Sequence, residues 1–281
     1  MRQYLTAAEV IAYLESLRNE EQRRVLMRFF KTGPGEYGEA DEFLGLKVPQ
    51  TRQVVKQVAR DFPLSEVPEL LMNRWHEVRL CGLLILVEKF ERLATKRLVG
   101  DCKSPQADCK SPQAEKAIRG RDEILTMYLQ YADRANNWDL VDLSVPKILG
   151  HWLLLPTFLN GSQDEHDYKV KVLDSLAYSD NLWRQRMSIV CTWKTSQMGD
   201  PSWCLRYAEI HLSEGIRNSR HDLMHKAVGW MLREMGKRVS MDLLRDFLRQ
   251  HAHEMPRTAL RYAIEKMSEQ ERRYWMRSPE S

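Results

Sequence analysis

This chain has no CxxC pair, no GK[ST], no G-x-S-x-G and no apolar run long enough to cross a bilayer. Each absence excludes a class. Without CxxC, zinc knuckles and dithiol redox centres lose their usual ligand spacing. The five cysteines, Cys81, Cys102, Cys109, Cys191 and Cys204, are odd in number and scattered, which fits free thiols in a reducing cytosol. Gly33, Gly35 and Gly38 cluster around Pro34, but no strand precedes them and no Lys-Ser/Thr follows, so a phosphate-binding P-loop is excluded and a rigid connector is expected. No Ser or Cys pairs with a His in a recognised hydrolase order. The lack of a long apolar run, and of a short apolar N-terminal core, predicts neither a membrane span nor a secretory leader. Net charge is scarce as well. Lys and Arg number 43 against 39 Asp and Glu, leaving +4, so a nucleic-acid surface would have to come from placement rather than from total charge.

What remains is helix. The chain is 43% apolar and 29% charged, ordinary for a globular protein, and 281 residues suffice to bury roughly three quarters of an extended chain's surface. Thr6 with Glu9 forms a capping-box signature at the start of an apolar pattern running over 6–31. Further amphipathic patterns fall near 50–60, 66–73, 75–92, 120–134, 138–155, 166–177, 182–197, 203–212, 221–237, 240–250 and 257–267. Pro49, Pro63, Pro68, Pro156, Gly161, Pro201, Gly215 and Pro256 punctuate them. No alternating β-branched run with hairpin chemistry appears. The expectation is one all-α domain over 1–281. So many helices cannot share one central core, so a stacked array of helix pairs is favoured over a bundle. One segment departs from the pattern. DCKSPQA at 101–107 recurs at once as 108–114, without a bulky apolar side chain, and predicts a mobile insert over 101–114 that carries Cys102 and Cys109.

Two stretches carry chemistry. In Asn136-Asn137-Trp138-Asp139-Leu140-Val141-Asp142, a helix places Trp138 and Asp142 on one face, about 40° apart around the axis. An indole beside a carboxylate suits a cationic ring-shaped ligand; the plainer alternative has Asp139 or Asp142 as a helix cap and Trp138 as core. Over 221–237, Lys226, Trp230, Arg233 and Lys237 fall at i, i+4, i+7 and i+11, a basic stripe interrupted by one aromatic, while Met224, Val228, Met231 and Met235 form a core-facing stripe. Such a stripe fits a nucleic-acid backbone, with the ring against sugar or base; a solvated face with an incidental Trp is the alternative. Arg186, toward the edge of the apolar face of 182–197, has the geometry for a bidentate phosphate contact, and Arg257 with Arg261 is a weaker pair of the same kind. His221-Asp222-Leu223-Met224-His225 mimics a zinc helix, but its Asp is too short for the usual general base and no third ligand follows, so a helix start with Asp222 in its first turn is expected. No metal is expected.

Read together, FFKTGPGEYGEADEFLGLKVPQTR (29–52), NNWDLVDLSVPKILG (136–150), SDNLWRQRMSIV (179–190), HDLMHKAVGWMLREMGK (221–237) and MPRTALRYAIEKM (255–267) resemble the AlkD-type DNA alkylation repair proteins over nearly the whole chain. The departure is the 101–114 repeat. The resemblance implies a superhelical array of HEAT-like antiparallel helix pairs. It implies a monofunctional DNA glycosylase that removes cationic N3- and N7-alkylated purines from duplex DNA without a base-flipping pocket, as a cytoplasmic, nucleoid-associated monomer that needs no cofactor and no membrane. Carried over position by position, the catalytic aspartate falls on Asp142, its neighbouring Trp on Trp138 and the second lesion-flanking Trp on Trp230, so that two indoles bracket one anion. The phosphate-contacting Arg falls on Arg186, a further DNA-contacting Arg on Arg233, and the N-terminal Tyr on Tyr37 with imperfect spacing; Lys226 and Lys237 would extend the backbone contact. The alternative functions are a helical-repeat protein that binds damaged or branched DNA without cutting, and a protein-interaction scaffold, which leaves the carboxylate and the Trp–basic stripe unexplained.

Overall fold

Capping decides where the first helices begin. The computed structural model describes residues 6–94, 112–159, 162–213, 218 and 220–277, and among these the regular elements are helical, apart from one isolated bridge pairing Glu42 with Trp75. Helix α1 (Ala7–Ser16) opens on the expected box: Thr6 Oγ1 accepts the Glu9 N–H at 3.3 Å and the Glu9 carboxylate accepts the Thr6 N–H at 3.1 Å. The pattern over 6–31 is two helices rather than one. Helix α2 (Glu20–Phe29) starts anew at Asn19, whose side-chain oxygen accepts the Gln22 N–H at 2.9 Å while its own N–H donates to the Leu44 carbonyl at 3.0 Å. Gly45 makes that approach possible. Its φ is 91°, and a Cβ there would lie 2.1 Å from the Asn19 oxygen.

By contact the chain divides after Ser144 into two compact units. In the first, α3 (Val48–Val58) and α4 (Val67–Leu71) each carry a proline in their first turn, so Pro49 and Pro68 start helices rather than end them. Helix α5 (His76–Leu93) is buried on every face from His76 to Val87. Around it pack α3, α4, α6 (Pro112–Gln130) and α7 (Trp138–Ser144). A helix buried all round is the axis of its unit. The expected insert over 101–114 is shorter than the repeat: residues 112–114 open α6 with Pro112 first, and 101–111 lie outside the described residues.

The pattern over 138–155 also divides. Helix α7 ends at Ser144 because Pro146 disfavours helical backbone at the residue before it, and a new short helix, α8 (Leu149–Trp152), follows. The second unit continues with α9 (Gln163–Ala177), α10 (Leu182–Val190), α11 (Thr192–Gln197), α12 (Ser202–Leu212), α13 (Asp222–Arg238), α14 (Met241–His251), α15 (Arg257–Ala263) and α16 (Glu269–Arg277). Helix α13 is its axis, packed by α10, α11, α12, α14 and α15. Gly229 lets α13 meet α15 closely, since a Cβ there would stand 2.2 Å from the Ala259 carbonyl oxygen. The sequence reading missed α16, which is mostly charged and in which Trp275 alone is buried.

The fold is all-α, as expected. Among the described residues no helix is long and apolar enough to cross a membrane. Cys81, Cys191 and Cys204 are free and buried, and burial pushes the Cys81 and Cys204 thiols up to about 12 and Cys191 further still.

Candidate functional site

In the first unit, Trp138 and Asp142 line a single cleft of about 400 Å³, so the helical spacing does place indole and carboxylate on one face. The opposing wall comes from the end of α2 and the segment after it: Phe29, Phe30, Phe43, Leu46 and Val48. The rings form a continuous set. Trp138 stacks on Phe30 at 5.2 Å and 25° between planes, and Phe30 stacks on Phe43 at 5.1 Å. Phe29 meets Trp138 edge-on and is 60% exposed, although the periodicity of α2 counts it with the core. Both Trp138 and Asp142 are half-buried.

Beneath this wall lies a buried ionic set that the sequence reading did not foresee. His76, the first residue of α5, places Nδ1 2.8 Å from Asp41 Oδ2 and Nε2 3.0 Å from Asp139 Oδ2. Arg79 Nη2 donates to Asp41 Oδ1 at 2.5 Å, and Asn137 Nδ2 donates to Asp41 Oδ2 at 3.1 Å. Burial disfavours the charged imidazole, but the Asp139 and Asp41 carboxylates, one on each ring nitrogen, outweigh it and push the His76 pKa up to about 10. Burial likewise opposes ionisation of Asp41, yet His76, Arg79 and Asn137 hold its carboxyl down at about 2. Two carboxylates, an imidazole and a guanidinium are thus gathered in one buried set. Asp139 is a structural member of this set, and its Oδ1 also accepts the Leu140 N–H at 2.9 Å. Asn137 supplies the local start of α7, its side-chain oxygen accepting the Trp138 N–H at 2.9 Å. Neighbouring Glu77 fixes the chain that carries Phe43 by accepting the backbone N–H groups of Leu44, Gly45 and Leu46 at 2.8, 2.8 and 3.0 Å.

Tyr37 is not among the residues that line the cleft. It sits half-buried in the turns after α2, with Lys31 Nζ 5.9 Å from its ring centroid, and Phe29 occupies the place facing Trp138. The segment turns on both sides of Tyr37: Lys31 before it and Ala40 after it take left-handed backbone (φ 51° and 65°).

In the second unit the basic stripe lies on α13. Trp230 is half-buried and Lys237 is exposed. Lys226 Nζ stands 2.6 Å from Asp222 Oδ2, and Arg233 pairs with Glu265 and, at 3.4 Å, with Glu234. Arg186 does not lie at an edge: it is 4% exposed, and its Nη1 donates to the Leu223 carbonyl at 2.6 Å. Arg257 likewise donates to the Met276 carbonyl at 2.7 Å. His221 caps α13 by accepting the Leu223 N–H on Nδ1 at 3.2 Å, with Asp222 in the first turn, so the zinc-like spacing is a helix start. Among the described residues, no group of three or more His, Cys, Asp or Glu is gathered for a metal.

An all-α chain with an aromatic–carboxylate cleft in one unit and a basic, Trp-bearing helix in the other fits a protein that handles nucleic acid. The family model for the DNA alkylation repair enzymes matches residues 10–267, and the chain belongs to that family. Membership assigns it a role in the repair of alkylated DNA. The fold is similar to the solved structure of a predicted DNA alkylation repair enzyme from Enterococcus faecalis, with a TM-score of 0.58, 13% identity, and 90% of this chain and 97% of that one covered. Among curated proteins none matches.

Proposed function

We propose that this protein is a monofunctional DNA glycosylase that hydrolyses the N-glycosidic bond of cationic N3- and N7-alkylated purines in duplex DNA, as a monomer without a cofactor. The observation that carries the reading is Asp142 beside Trp138 on one aromatic wall. Alkylation at these nitrogens puts a positive charge on the base. When the C1′–N bond breaks, its electron pair neutralises the base, and positive charge moves onto the deoxyribose in an oxocarbenium-like transition state. The base needs no acid to leave. One carboxylate therefore suffices: Asp142 opposes the sugar cation and orients the water that adds at C1′, and the water's second proton is released to solvent. The face of Trp138 attracts the migrating charge. Lys226, Arg233 and Lys237 serve the phosphate backbone, while Arg186 holds α13 in place through Leu223.

The test is a duplex carrying one 7-methylguanine, incubated with the protein and EDTA and then treated with alkali. Strand breaks are expected with the wild type. Asp142→Asn is expected to slow the single-turnover rate by about 10²- to 10³-fold, the roughly 3–4 kcal/mol of one preorganised electrostatic contact. Absence of breaks with the wild type leaves a DNA-binding protein without glycosylase activity, and breaks at equal rate with Asp142→Asn remove that residue's role.

A further inference from the structure

We propose that His76 is a positioning residue for the candidate site: held between Asp41 and Asp139, it fixes the first turn of α7 so that Trp138 and Asp142 face the cleft. The rate predictions rest on the glycosylase reading given above; the placement itself does not.

Helix α7 has seven residues, too few to be stable by itself. Its orientation is therefore set by what grips its start. The residues on either side of Trp138 are both buried and both tied to the same pair of side chains. Asn137 donates to Asp41, and Asp139 meets His76. Trp138 is thus pinned from both sides, and Asp142 follows one turn later on the same face. A second route reaches the same indole. The His76 ring stacks on Phe43 at 4.4 Å and 22°, and lies 5.1 Å from Phe30, which stacks on Trp138.

The residue type is specific. Of the imidazole's states, the one protonated on both nitrogens presents opposed N–H donors to two carboxylates. Glutamine can donate at one end only. The doubly protonated ring thus stands with Arg79 as a cationic partner for Asp41. Buried ionic groups are frequently replaceable by apolar ones without loss of stability. Four of them below one wall of a cleft are better explained by the placement they enforce than by the stability they add.

The experiment compares wild type, His76→Gln, Asp139→Asn and the double variant, with Leu84→Ala, in the buried middle of α5, as a control for general loosening. Single-turnover release of 7-methylguanine is measured beside the Kd for undamaged duplex. Each single variant is expected to slow release about 10- to 100-fold with Kd unchanged within about twofold, and the double variant to be no slower than the slower single, because both act through one contact. Leu84→Ala is expected to lower the melting temperature without that rate loss. In parallel, protein containing 5-fluorotryptophan is examined by 19F NMR without DNA, the Trp138 line being assigned by its loss in Trp138→Phe. That line is expected to shift or broaden in His76→Gln and Asp139→Asn and to stay in place in Leu84→Ala. An unmoved Trp138 line, or additive rate losses in the double variant, overturns the proposal. If the wild type releases no 7-methylguanine, the glycosylase reading fails, and the 19F line alone decides whether His76 positions Trp138.

Discussion

Phe29 stands edge-on to Trp138, with ring centroids 5.8 Å apart and planes at 71°. The two residues come from helices far apart in sequence, and their contact joins the wall that carries Asp142 to the wall opposite. The indole is backed on its buried side by Phe30, so the exposed phenyl extends an aromatic surface that is already rigid.

Phe29→Ala is expected to slow lesion release about fivefold to tenfold, the scale of one lost aromatic contact to a cation, about 1 kcal/mol. Because the ring is mostly in water, the melting temperature should move by no more than about 2 °C. Phe43→Ala, in contrast, removes a fully buried ring and should cost about 3–5 kcal/mol. Calorimetry and single-turnover kinetics on the two variants separate these outcomes, and equal melting losses would contradict the placement of Phe29.

The cleft raises a sharp question, since its roughly 400 Å³ exceed what a purine ring needs. If chemistry proceeds at the sugar without a base pocket, filling the cleft from its α3 wall with Val48→Trp should leave the release rate within about threefold of wild type. A loss comparable to that of Asp142→Asn would mean that the base enters the cleft.

Two histidines give the units opposite pH dependence. The folded-state pKa of His76, about 10, lies above the ordinary value near 6.5, so its stabilisation is fully present below about pH 6.5 and is lost as pH rises through 10. His211 is buried beside Ser188 Oγ at 2.7 Å, and burial holds its pKa down at about 4; its contribution is present above about pH 6.5 and lost as pH falls toward 4. Asp41, near 2, matters only below about pH 4. Native-state hydrogen exchange should therefore show α5 opening more easily from pH 6.5 to 9.5, by up to about 1.4 kcal/mol per pH unit, and α12 opening more easily from pH 6.5 to 5. In His76→Gln the alkaline slope in α5 should vanish; its persistence would place the titration elsewhere.

Arg186 and Lys237 should fail in different ways. Lys237 is exposed, so Lys237→Ala should lower the slope of log affinity against log salt by about one, with stability kept. Arg186 is enclosed and bonded to the Leu223 carbonyl, so Arg186→Ala should lower the melting temperature by several degrees, a cost of about 1–3 kcal/mol. Salt titrations of DNA binding and thermal melts distinguish the two.

Helix existence was legible from apolar spacing, and the Thr6–Glu9 cap from residue type alone. The breaks were less so. Asn19 caps α2, but its role depends on Leu44 and Gly45 lying against it, a contact no local pattern reveals. Pro146 is a readable stop for α7, which ends at Ser144 within the longer apolar pattern over 138–155. Trp138 and Asp142 could be singled out because a four-residue spacing puts them on one helical face, and the chemistry proposed for Asp142 comes from the family resemblance. The Asp41–His76–Asp139 set could not be found that way: its members stand 35 and 63 residues apart and belong to no motif. Phe29 was hidden by the opposite effect, since an exposed aromatic in phase with a core stripe looks like core.

The concealment of Cys81, Cys191 and Cys204 bears on the conditions in which such a protein works. Methylating electrophiles attack the sulfur anion, and these three positions offer neither that anion nor a way in. The reagents that mark the genome for repair thus find no soft nucleophile at these three sites.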